Sequence, residues 1–517
     1  MVMAPVRQVQ LRQNLPRLAT IFIAACANVT GVCWPFAYIF PFGEPVWLLQ
    51  LLSLAVLCRL LLRASSARSA AGVGLLFATV WLSGTFWWLY VSMHAYAGLP
   101  SVLAATAVVA LAAMLGLYYA LACAIFWGLA PKENASASLV FAALWTAAEL
   151  ARGTWFTGFG WGAVGYAHVQ GPLAAYIPWL GAYGVGALAA WLSAAAVLNT
   201  KRPRGPAWLA VAVIALGLWA PTAMKNWSQP AGSLTVSLLQ GNIPQDEKFQ
   251  VGTGVRQALQ WYAEQLNKSK SSLVVAPETA IPLLPGQLPE GYWQALQQRF
   301  SGGAQAAMVG IPLGSYQEGY TNSVVALHAG QTTPWQYDKH HLVPFGEFIP
   351  PLFKWFIALM NIPLGDFNRG AVGQASLDWE GQRLAPNICY EDLFGEELGV
   401  RFSDPAQAPT IFVNVSNIGW FGDSFAIDQH LAISRMRALE FERPFVRATN
   451  TGATAIIDHQ GHVTASLPRL TRGVLDGTVE GRNGLTPFAW WVSRWGLWPL
   501  WLAIVVILAL AWRRRSN

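Results

Sequence analysis

The sequence predicts a two-part protein, with a multi-span α-helical membrane domain and a globular α/β domain. Its 517 residues are 54% hydrophobic and only 11% charged, whereas ordinary soluble domains carry roughly 25% charged residues. Apolar segments of about 17–25 residues, long enough to cross a bilayer, occupy most of the chain outside residues 233–482. Within that range, short β-branched runs alternate with helical patterns, which is typical of a layered α/β or α+β fold.

Eight apolar segments account for the predicted membrane spans. In chain order they cover residues 18–33, 46–62, 71–93, 101–129, 138–151, 173–198, 207–222 and 487–512. The small residues at Ala25-Cys26-Ala27 resemble a signal-peptide cleavage site, but the second span follows at once and favours an uncleaved anchor. The predicted organisation is a membrane domain of seven spans at 1–224, a globular domain at 233–482 and an eighth span at 487–512.

The basic residues indicate how the spans are oriented. Arg7, Arg12 and Arg17 precede the first span, and further Lys and Arg residues follow the second, fourth, sixth and eighth spans. The opposite loops, such as 94–100, contain no Lys or Arg. By the positive-inside rule, the N-terminus is cytoplasmic and residues 225–482 lie on the outer side. We interpret the net charge of +7 as this topological signal, and we expect no nucleic-acid partner.

The globular domain lacks the common signatures of phosphate and metal sites. Its predicted strands cover residues 234–239, 273–276, 306–311, 323–327, 410–415 and 453–457, with helical patterns such as 255–268 and 292–300. It contains no Gly-rich phosphate loop and no Gly-x-Ser-x-Gly elbow. No cysteine spacing indicates a disulfide framework or a zinc site, and the eight histidines are scattered, so we expect no metal.

One cysteine is a candidate nucleophile. Cys389, in the stretch 387–392, is the only one of the five cysteines outside an apolar segment. A thiol reacts as its thiolate, and the neighbouring Glu391 and Asp392 would raise its pKa, so a cation must come from elsewhere in the chain. The alternative is an inert buried cysteine, which is the commoner fate of a lone cysteine.

Two further stretches carry charged groups near predicted strand ends. A buried-type strand runs directly into Glu278, and the polar stretch 337–347 contains Lys339 and Glu347. Taken singly, a strand-end glutamate or a lysine in a polar loop is usually solvated. Because these residues are far from Cys389 in the sequence, only folding can unite them.

A charge pair is also predicted next to the fifth span. Glu149 and Arg152 are three residues apart, close enough to pair on a helix, and the aromatic, Gly-rich stretch 153–161 follows them. A charge pair at membrane depth is costly and usually functional. The alternative is an interfacial aromatic belt with a snorkelling arginine. We favour a structural role beside a lipid-facing opening.

Together, the stretches around Glu278, Lys339 and Cys389 resemble the Glu-Lys-Cys triad of the nitrilase, or carbon–nitrogen hydrolase, superfamily. The sequence is still more similar to one member family, the apolipoprotein N-acyltransferases. This resemblance covers nearly the whole chain and includes the spans divided seven and one, and residues 149–159, 239–245, 414–423, 435–444 and 448–452. The chain departs from the family pattern in having Ile418 in place of Asp, Phe249 in place of a frequent Trp, and Gly160 in place of a common Pro.

The resemblance implies a nitrilase-like αββα sandwich and a specific reaction. The family's enzymes lie in the inner membrane of Gram-negative bacteria, with the catalytic domain on the periplasmic side. They transfer a fatty acyl chain from a phospholipid, here expected to be phosphatidylethanolamine, to the α-amine of the diacylglyceryl-cysteine of an apolipoprotein, the last step of bacterial lipoprotein maturation. A thioester acyl-enzyme and ping-pong kinetics follow from this mechanism. No cofactor is implied, and we expect a monomer.

The resemblance also assigns roles to individual residues. Glu278 is expected to act as general base, Lys339 to stabilise the oxyanion and Cys389 to carry the acyl chain. Supporting roles are expected for Glu347, Glu391, Tyr390 and Asn322, and the membrane-side candidates are Glu149 and Arg152. The apolar stretch 350–363 is predicted to be a mobile lid that dips into lipid, the alternative being that it packs into the domain core.

Two other functions remain open from the sequence. A membrane-anchored amidase or carbon–nitrogen hydrolase would use the same triad but release the acyl group to water. A degenerate nitrilase-like domain would serve as a scaffold without catalysis, although all three triad residues are present. The triad by itself does not distinguish a transferase from a hydrolase.

Overall fold

The computed structural model describes residues 4–130, 135–198, 206–223, 226–315, 317–330, 334–349 and 367–516. The chain divides into two compact units, a helical unit and a sheet unit. The helical unit comprises Met1–Trp87, Val102–Lys225 and Leu497–Asn517, and the sheet unit comprises Trp88–Ser101 and Asn226–Gly496. The sheet unit therefore includes the end of the third predicted span and the loop that follows it.

The eight segments predicted to span the membrane are largely helical within the described residues, but 71–93 and 487–512 each contain two helices joined at a bend, of 63° and 89° respectively. The helices of the helical unit are α1 (Ala4–Val32), α2 (Trp47–Leu62), α3 (Ala67–Thr85), α4 (Ser101–Leu129), α5 (Ala135–Thr154), α6 (Ile177–Leu198), α7 (Pro206–Ala223) and the last helix of the chain, α13 (Trp498–Ser516). By length and apolarity, three described helices can cross a bilayer, or five if each of two bent helix pairs counts as one span. Eight spans therefore stay a prediction.

The sheet unit contains two six-stranded sheets. The first has the order β12-β1-β2-β3-β4-β5 and the second has the order β11-β10-β9-β8-β7-β6. The strands are β1 (Ser228–Gln240), β2 (Leu273–Val275), β3 (Ala306–Ser315), β4 (Gly319–Leu327), β5 (Trp335–Asp338), β6 (Leu377–Trp379), β7 (Gln382–Ile388), β8 (Ile411–Ser416), β9 (Phe445–Thr449), β10 (Ala455–Ile457), β11 (Val463–Ser466) and β12 (Gly473–Gly484). Its helices are α8 (Arg256–Lys268), α9 (Tyr292–Ser301), α10 (Gly395–Gly399), α11 (Ala426–Phe441) and α12 (Pro487–Trp495).

Alternating side chains on the strands bury both faces of each sheet. Val275 and Val413 belong to one apolar cluster between the two sheets. Val274, the neighbour of Val275, points the other way and packs with side chains of α8 and α9. On the second sheet, Phe412 packs outward with α11 and α12. The layers are therefore helix, sheet, sheet and helix, as the resemblance implies, and each fully buried aliphatic side chain contributes about 1.5–3 kcal/mol.

Strand direction brings the candidate catalytic residues to one edge of each sheet. The strands β1, β2 and β3 run parallel, and β4 is antiparallel to both β3 and β5, so β5 runs in the direction of β2. In the second sheet, β7, β8 and β9 run parallel. The carboxyl ends of parallel strands meet at one sheet edge, which is where sites form in α/β folds.

Candidate active site

The triad residues follow the carboxyl ends of three strands. Glu278 comes shortly after β2, Lys339 directly follows β5, and Cys389 directly follows β7. The main-chain N–H of Lys339 donates to the carbonyl of Asn322 at 2.8 Å, which ties the end of β5 to β4. Neither charged group is solvated, because Glu278 is 7% exposed and Lys339 is 1% exposed.

Lys339 lies between two carboxylates. Its Nζ donates to Glu278 Oε1 at 3.2 Å and to Glu347 Oε1 at 2.9 Å. The Nδ2 of Asn322 donates to the same two oxygens, each at 2.7 Å. The other oxygen of Glu278 accepts the main-chain N–H of Asn417 at 2.8 Å, across from the second sheet. The structure thus brings Glu278, Lys339, Glu347 and Asn322 together.

These contacts set the charges of the cluster. Burial opposes ionisation of Lys339, but Glu278 and Glu347 raise the pKa of Lys339 well above its ordinary value. Burial likewise raises the pKa of Glu278, yet Lys339, the Asn322 amide, Lys248 and the Asn417 N–H outweigh it, so the pKa of Glu278 is lowered. At neutral pH the site therefore holds a carboxylate and an ammonium group, which a general base and an oxyanion stabiliser require.

Cys389 occupies a strained turn between β7 and a short helical turn. Its φ is +56°, in the left-handed region that a non-glycine residue rarely adopts, at a cost of about 1–3 kcal/mol. Two side chains hold its carbonyl, since Asn414 Nδ2 donates to Cys389 O at 3.0 Å and His430 Nε2 donates at 3.2 Å. The residue is half-buried. The turn therefore presents Cys389 at the sheet edge rather than inside the core.

The protonation state of Cys389 corrects one expectation from the sequence. Burial and the Glu278 carboxylate raise the pKa of Cys389 to about 12, while Lys339 and the Ser416 hydroxyl lower it. The sequence predicts a raised pKa from the adjacent Glu391 and Asp392, whereas the largest causes in the structure are burial and Glu278. Cys389 is therefore a thiol at rest and needs a base when it attacks.

The carboxylate of Glu391 stabilises the site by accepting four hydrogen bonds. Its Oε2 accepts the Ile388 N–H at 2.7 Å and the Tyr337 hydroxyl at 2.9 Å. Its Oε1 accepts the N–H groups of His340 and His341 at 2.6 and 3.1 Å. The carboxylate thus joins the turn that carries the nucleophile to the segment that carries the lysine.

The carboxylate of Asp392 balances the positive charge of the buried Arg447. Arg447 Nη1 lies 3.1 Å from Asp392 Oδ2, and neither side chain is exposed. His430 Nε2 donates to Asp392 Oδ1 at 2.9 Å, and Ser434 donates to the other oxygen. Burial raises the pKa of Asp392, but His430, Arg447 and Ser434 reverse this and lower it. The network supports His430, which in turn holds the Cys389 carbonyl.

Tyr390 sits among aromatic rings next to the nucleophile. Its ring meets His341 and Phe394 edge-on, with centroids 5.4 and 5.2 Å apart. Among the described residues its buried hydroxyl has no hydrogen-bond partner. Burial raises the pKa of Tyr390, and Glu397 and Glu347 add to this although Lys339 lowers it, so the hydroxyl keeps its proton and is an available donor.

A chain of side-chain amides links Glu278 to a small cavity. Asn450 Nδ2 donates to Asn417 Oδ1 at 3.1 Å, and Asn417 Nδ2 donates to Gln245 Oε1 at 2.8 Å. The main-chain N–H and carbonyl of Ile243 fix the orientation of the Asn450 amide. Gln245 lines a cavity of about 240 Å³, together with Asn242 and other residues. Because each amide in this series donates a hydrogen bond to the next, the series ends at the amino group of Gln245. That group has no hydrogen-bond partner among the described residues.

Comparison with known proteins places this site in a family. The family model described as apolipoprotein N-acyltransferase N-terminal domain matches residues 30–195, and the model described as carbon-nitrogen hydrolase matches residues 235–484. The apolipoprotein N-acyltransferase of Verminephrobacter eiseniae is 55% identical over 506 residues, which cover 93% of this chain and 93% of that relative. This chain belongs to the apolipoprotein N-acyltransferase family.

Other members of the family are also similar over most of their length. The apolipoprotein N-acyltransferase of Ralstonia nicotianae is 46% identical, covering 96% of this chain and 94% of that protein. That of Bordetella bronchiseptica is 41% identical, covering 92% of this chain and 93% of that protein. The apolar helices of the helical unit agree with a membrane-associated apolipoprotein N-acyltransferase.

Glu149 and Arg152, the predicted membrane-side residues, lie in the helical unit and bind the segment that follows α5. Arg152 Nη2 is 3.9 Å from Glu149 Oε1, and both side chains are buried. Arg152 Nη1 donates to the carbonyl of Trp161 at 2.8 Å, and Glu149 Oε1 accepts the N–H of Val164 at 3.2 Å. The pair therefore holds the segment after α5 in place.

Several residues of the site were not predicted from the sequence. Lys248, His430 and Arg447 are buried beside the triad, yet each lies in a stretch whose local pattern suggests an ordinary helix or loop. The predicted lid at 350–363 lies outside the described residues. Among the residues that the structure describes, no group of His, Cys, Asp and Glu side chains could hold a metal ion.

Proposed function

We propose that this chain transfers a fatty acyl chain from a phospholipid to the α-amine of the diacylglyceryl-cysteine at the N-terminus of an apolipoprotein. The names of its relatives give the reaction class. The observation that carries the proposal is a buried Glu278–Lys339 pair close enough to the strained, half-buried Cys389 for both charges to act on the pKa of its thiol. A base, a cation and a nucleophile at one sheet edge suit acyl transfer through a covalent intermediate.

In the first half-reaction, Glu278 accepts the proton of the Cys389 thiol while Sγ attacks the ester carbonyl carbon of the phospholipid. The C–S bond forms, and the carbonyl oxygen becomes an oxyanion beside the Lys339 ammonium. The C–O ester bond then breaks, and the leaving oxygen takes the proton back from Glu278. The products are a lysophospholipid and a thioester at Cys389.

In the second half-reaction, the neutral amine of the acceptor attacks the thioester carbon. Glu278 removes a proton from the nitrogen as the amide bond forms, and Lys339 again stabilises the oxyanion. The C–S bond breaks, and the departing sulfur takes the proton from Glu278, which restores the resting thiol. Because the lysophospholipid leaves before the acceptor reacts, the kinetics are ping-pong.

The neighbouring residues support this cycle. Glu347 and Asn322 hold the Lys339 ammonium and the Glu278 carboxylate in contact. Glu391 fixes the turn that carries Cys389. Tyr390, which follows Cys389 in the chain, has a hydroxyl without a hydrogen-bond partner among the described residues.

The proposal extends to the protein's setting. We propose eight spans in the bacterial inner membrane, a seven-span domain at 1–224, a periplasmic catalytic domain at 233–482 and a last span at 487–512. The positive-inside pattern supports this orientation. We further propose phosphatidylethanolamine as donor and a monomeric enzyme.

A mass spectrum tests the chemistry directly. The purified full-length protein is mixed with phosphatidylethanolamine, and we expect one acyl chain to be added at Cys389. Addition of a diacylglyceryl-cysteine lipopeptide should then discharge the chain onto the peptide amine. Discharge to water at the same rate with and without the lipopeptide would favour the amidase alternative, and the lack of any acyl-enzyme would overturn the proposal.

A further inference from the structure

Lys248 is a buried cation that the mechanism above does not use. It follows β1, is 1% exposed, and its main-chain N–H donates to Pro244 O at 2.9 Å. Its Nζ donates to the main-chain carbonyl of Glu278 at 3.1 Å. The side chain therefore reaches from the end of one strand to the residue that carries the general base.

A single neutral acceptor does not compensate a buried ammonium group. Removing an ammonium ion from water costs several kcal/mol in a protein unless other charges offset it. Among the described residues, the hydrogen-bond acceptor of Lys248 Nζ is the Glu278 carbonyl. The charges that interact favourably with Lys248 are the Glu278 carboxylate and the ionised form of Cys389. Its burial is therefore tied to the catalytic residues.

The charges of the cluster show what Lys248 contributes. Two carboxylates, Glu278 and Glu347, contact one ammonium group, that of Lys339. With a neutral thiol, these three groups carry a net charge of −1, and ionising Cys389 would make it −2. Like charge disfavours a thiolate and also raises the pKa of a carboxylate. A second ammonium group makes the resting cluster neutral.

We propose that Lys248 is a positioning residue of the acyl-transfer site, which holds the Glu278 main chain in place and supplies the second positive charge that favours ionised Glu278 and the forming Cys389 thiolate. This inference rests on the proposed function and deepens it. It differs from the role of Lys339, whose Nζ contacts both carboxylates and faces the oxyanion.

The position of Lys248 gives the reaction a distinctive pH dependence. The ionisable groups that face Lys248 are Glu278, after β2, and Cys389, after β7. Lys339 and Glu347 belong to the same cluster, because Lys339 Nζ contacts both Glu278 and Glu347. Burial lowers the pKa of Lys248 to about 7, although Glu278 and Cys389 act against this. Above that pH the ammonium loses its proton, and acyl-enzyme formation should slow.

The test measures the initial rate of acyl-enzyme formation by mass spectrometry, with full-length protein, phosphatidylethanolamine in micelles and no acceptor, from about pH 5 to about pH 9. We expect the wild-type rate to fall on the alkaline side near pH 7. Lys248→Arg keeps the charge, so its alkaline fall should move to higher pH. Lys248→Met should be slower by about 10- to 100-fold below pH 7. Lys268→Met, at an exposed lysine of α8, serves as the control and should match the wild type.

The outcomes separate this inference from the proposed function. Wild-type acylation without an alkaline fall, or an equal loss in both Lys248 variants with the fall unmoved, would overturn the role of Lys248 alone. If Lys248→Met does not fold, the wild-type and Lys248→Arg profiles decide. Absence of acyl-enzyme in the wild type would overturn the proposed function, and this inference with it.

Discussion

The Nζ of Lys339 lies 3.2 Å from Oε1 of Glu278, with both side chains buried. This pair keeps Glu278 ionised with a lowered pKa, whereas the pKa of Cys389 is raised to about 12. Proton transfer from the thiol to the carboxylate is therefore strongly uphill when it occurs alone. We infer that it accompanies C–S bond formation, when the negative charge moves on to the oxyanion beside Lys339.

Replacing the nucleophile should abolish acylation without unfolding the protein. For Cys389→Ser we expect acyl-enzyme formation to fall by at least about 1,000-fold, because a hydroxyl is a far weaker nucleophile in a site built for a thiol. Mass spectrometry of the protein mixed with phospholipid measures this. The control is Cys26→Ser, at a partly buried cysteine of α1, which should retain acylation. Retained acylation in Cys389→Ser would contradict the assignment.

Removing the second carboxylate should weaken catalysis less than removing the base. In Glu347→Gln, Lys339 loses one of its two anionic partners. Its ammonium group is then held less firmly, and its pKa is lower. We expect acyl-enzyme formation to slow by about 10- to 100-fold. Glu278→Gln should slow it considerably more, because no group is then left to accept the thiol proton. If Glu347→Gln matched the wild type, Glu347 would have no part in holding the lysine.

The acid side of the pH profile should report Glu278. Because its pKa is lowered, acyl-enzyme formation should persist below the ordinary glutamate value of about 4.3. The stability that the ionised group contributes is likewise present above that unfolded value and is lost as pH falls through the lower folded pKa. Asn322→Leu removes a hydrogen bond to the carboxylate and should move the acid fall upward by about one pH unit. If the rate of acyl-enzyme formation in Asn322→Leu decreased at the same acidic pH as in the wild type, this role for Asn322 would be excluded.

Breaking the buried pair beneath the nucleophile should destabilise the sheet unit. Asp392→Asn leaves Arg447 without its anionic partner in a site that neither side chain exposes to solvent. We expect a loss of about 3–5 kcal/mol in the free energy of unfolding, measured as a shift of the denaturant midpoint. Glu264→Gln breaks an exposed ion pair with Lys268 and should cost at most about 1 kcal/mol. Similar midpoints for the two variants would contradict the buried-pair argument.

Much of the architecture could be predicted because its signals are local. Apolar segments of spanning length indicated the helices, and those segments are largely helical within the described residues, two of them as bent helix pairs. The β-branched run that ends just before Glu278 indicated a strand, because a strand buried on both faces is a continuous apolar run. Parallel pairing then makes it natural for strand-end residues to meet.

Six strands, β5, β6, β7, β9, β11 and β12, were not among the predicted runs, and the buried partners of the triad were not predicted either. Arg447 lies in β9 and is compensated by Asp392, far away in the sequence. Lys248 stands in a polar stretch that suggests a solvated loop, and its burial depends on the strand end at Glu278. Nothing local in the sequence distinguishes such a lysine from one on the surface.

The sequence by itself determined the chemical class of this protein, since the three reactive residue types and the apolar segments are visible in the order of the residues. Only the tertiary structure decided the protonation of the site, namely an ionised Glu278, a charged Lys339 and a neutral thiol at Cys389. The physical reason is that a pKa depends on burial and on charges within a few ångströms, and those neighbours come from distant parts of the chain.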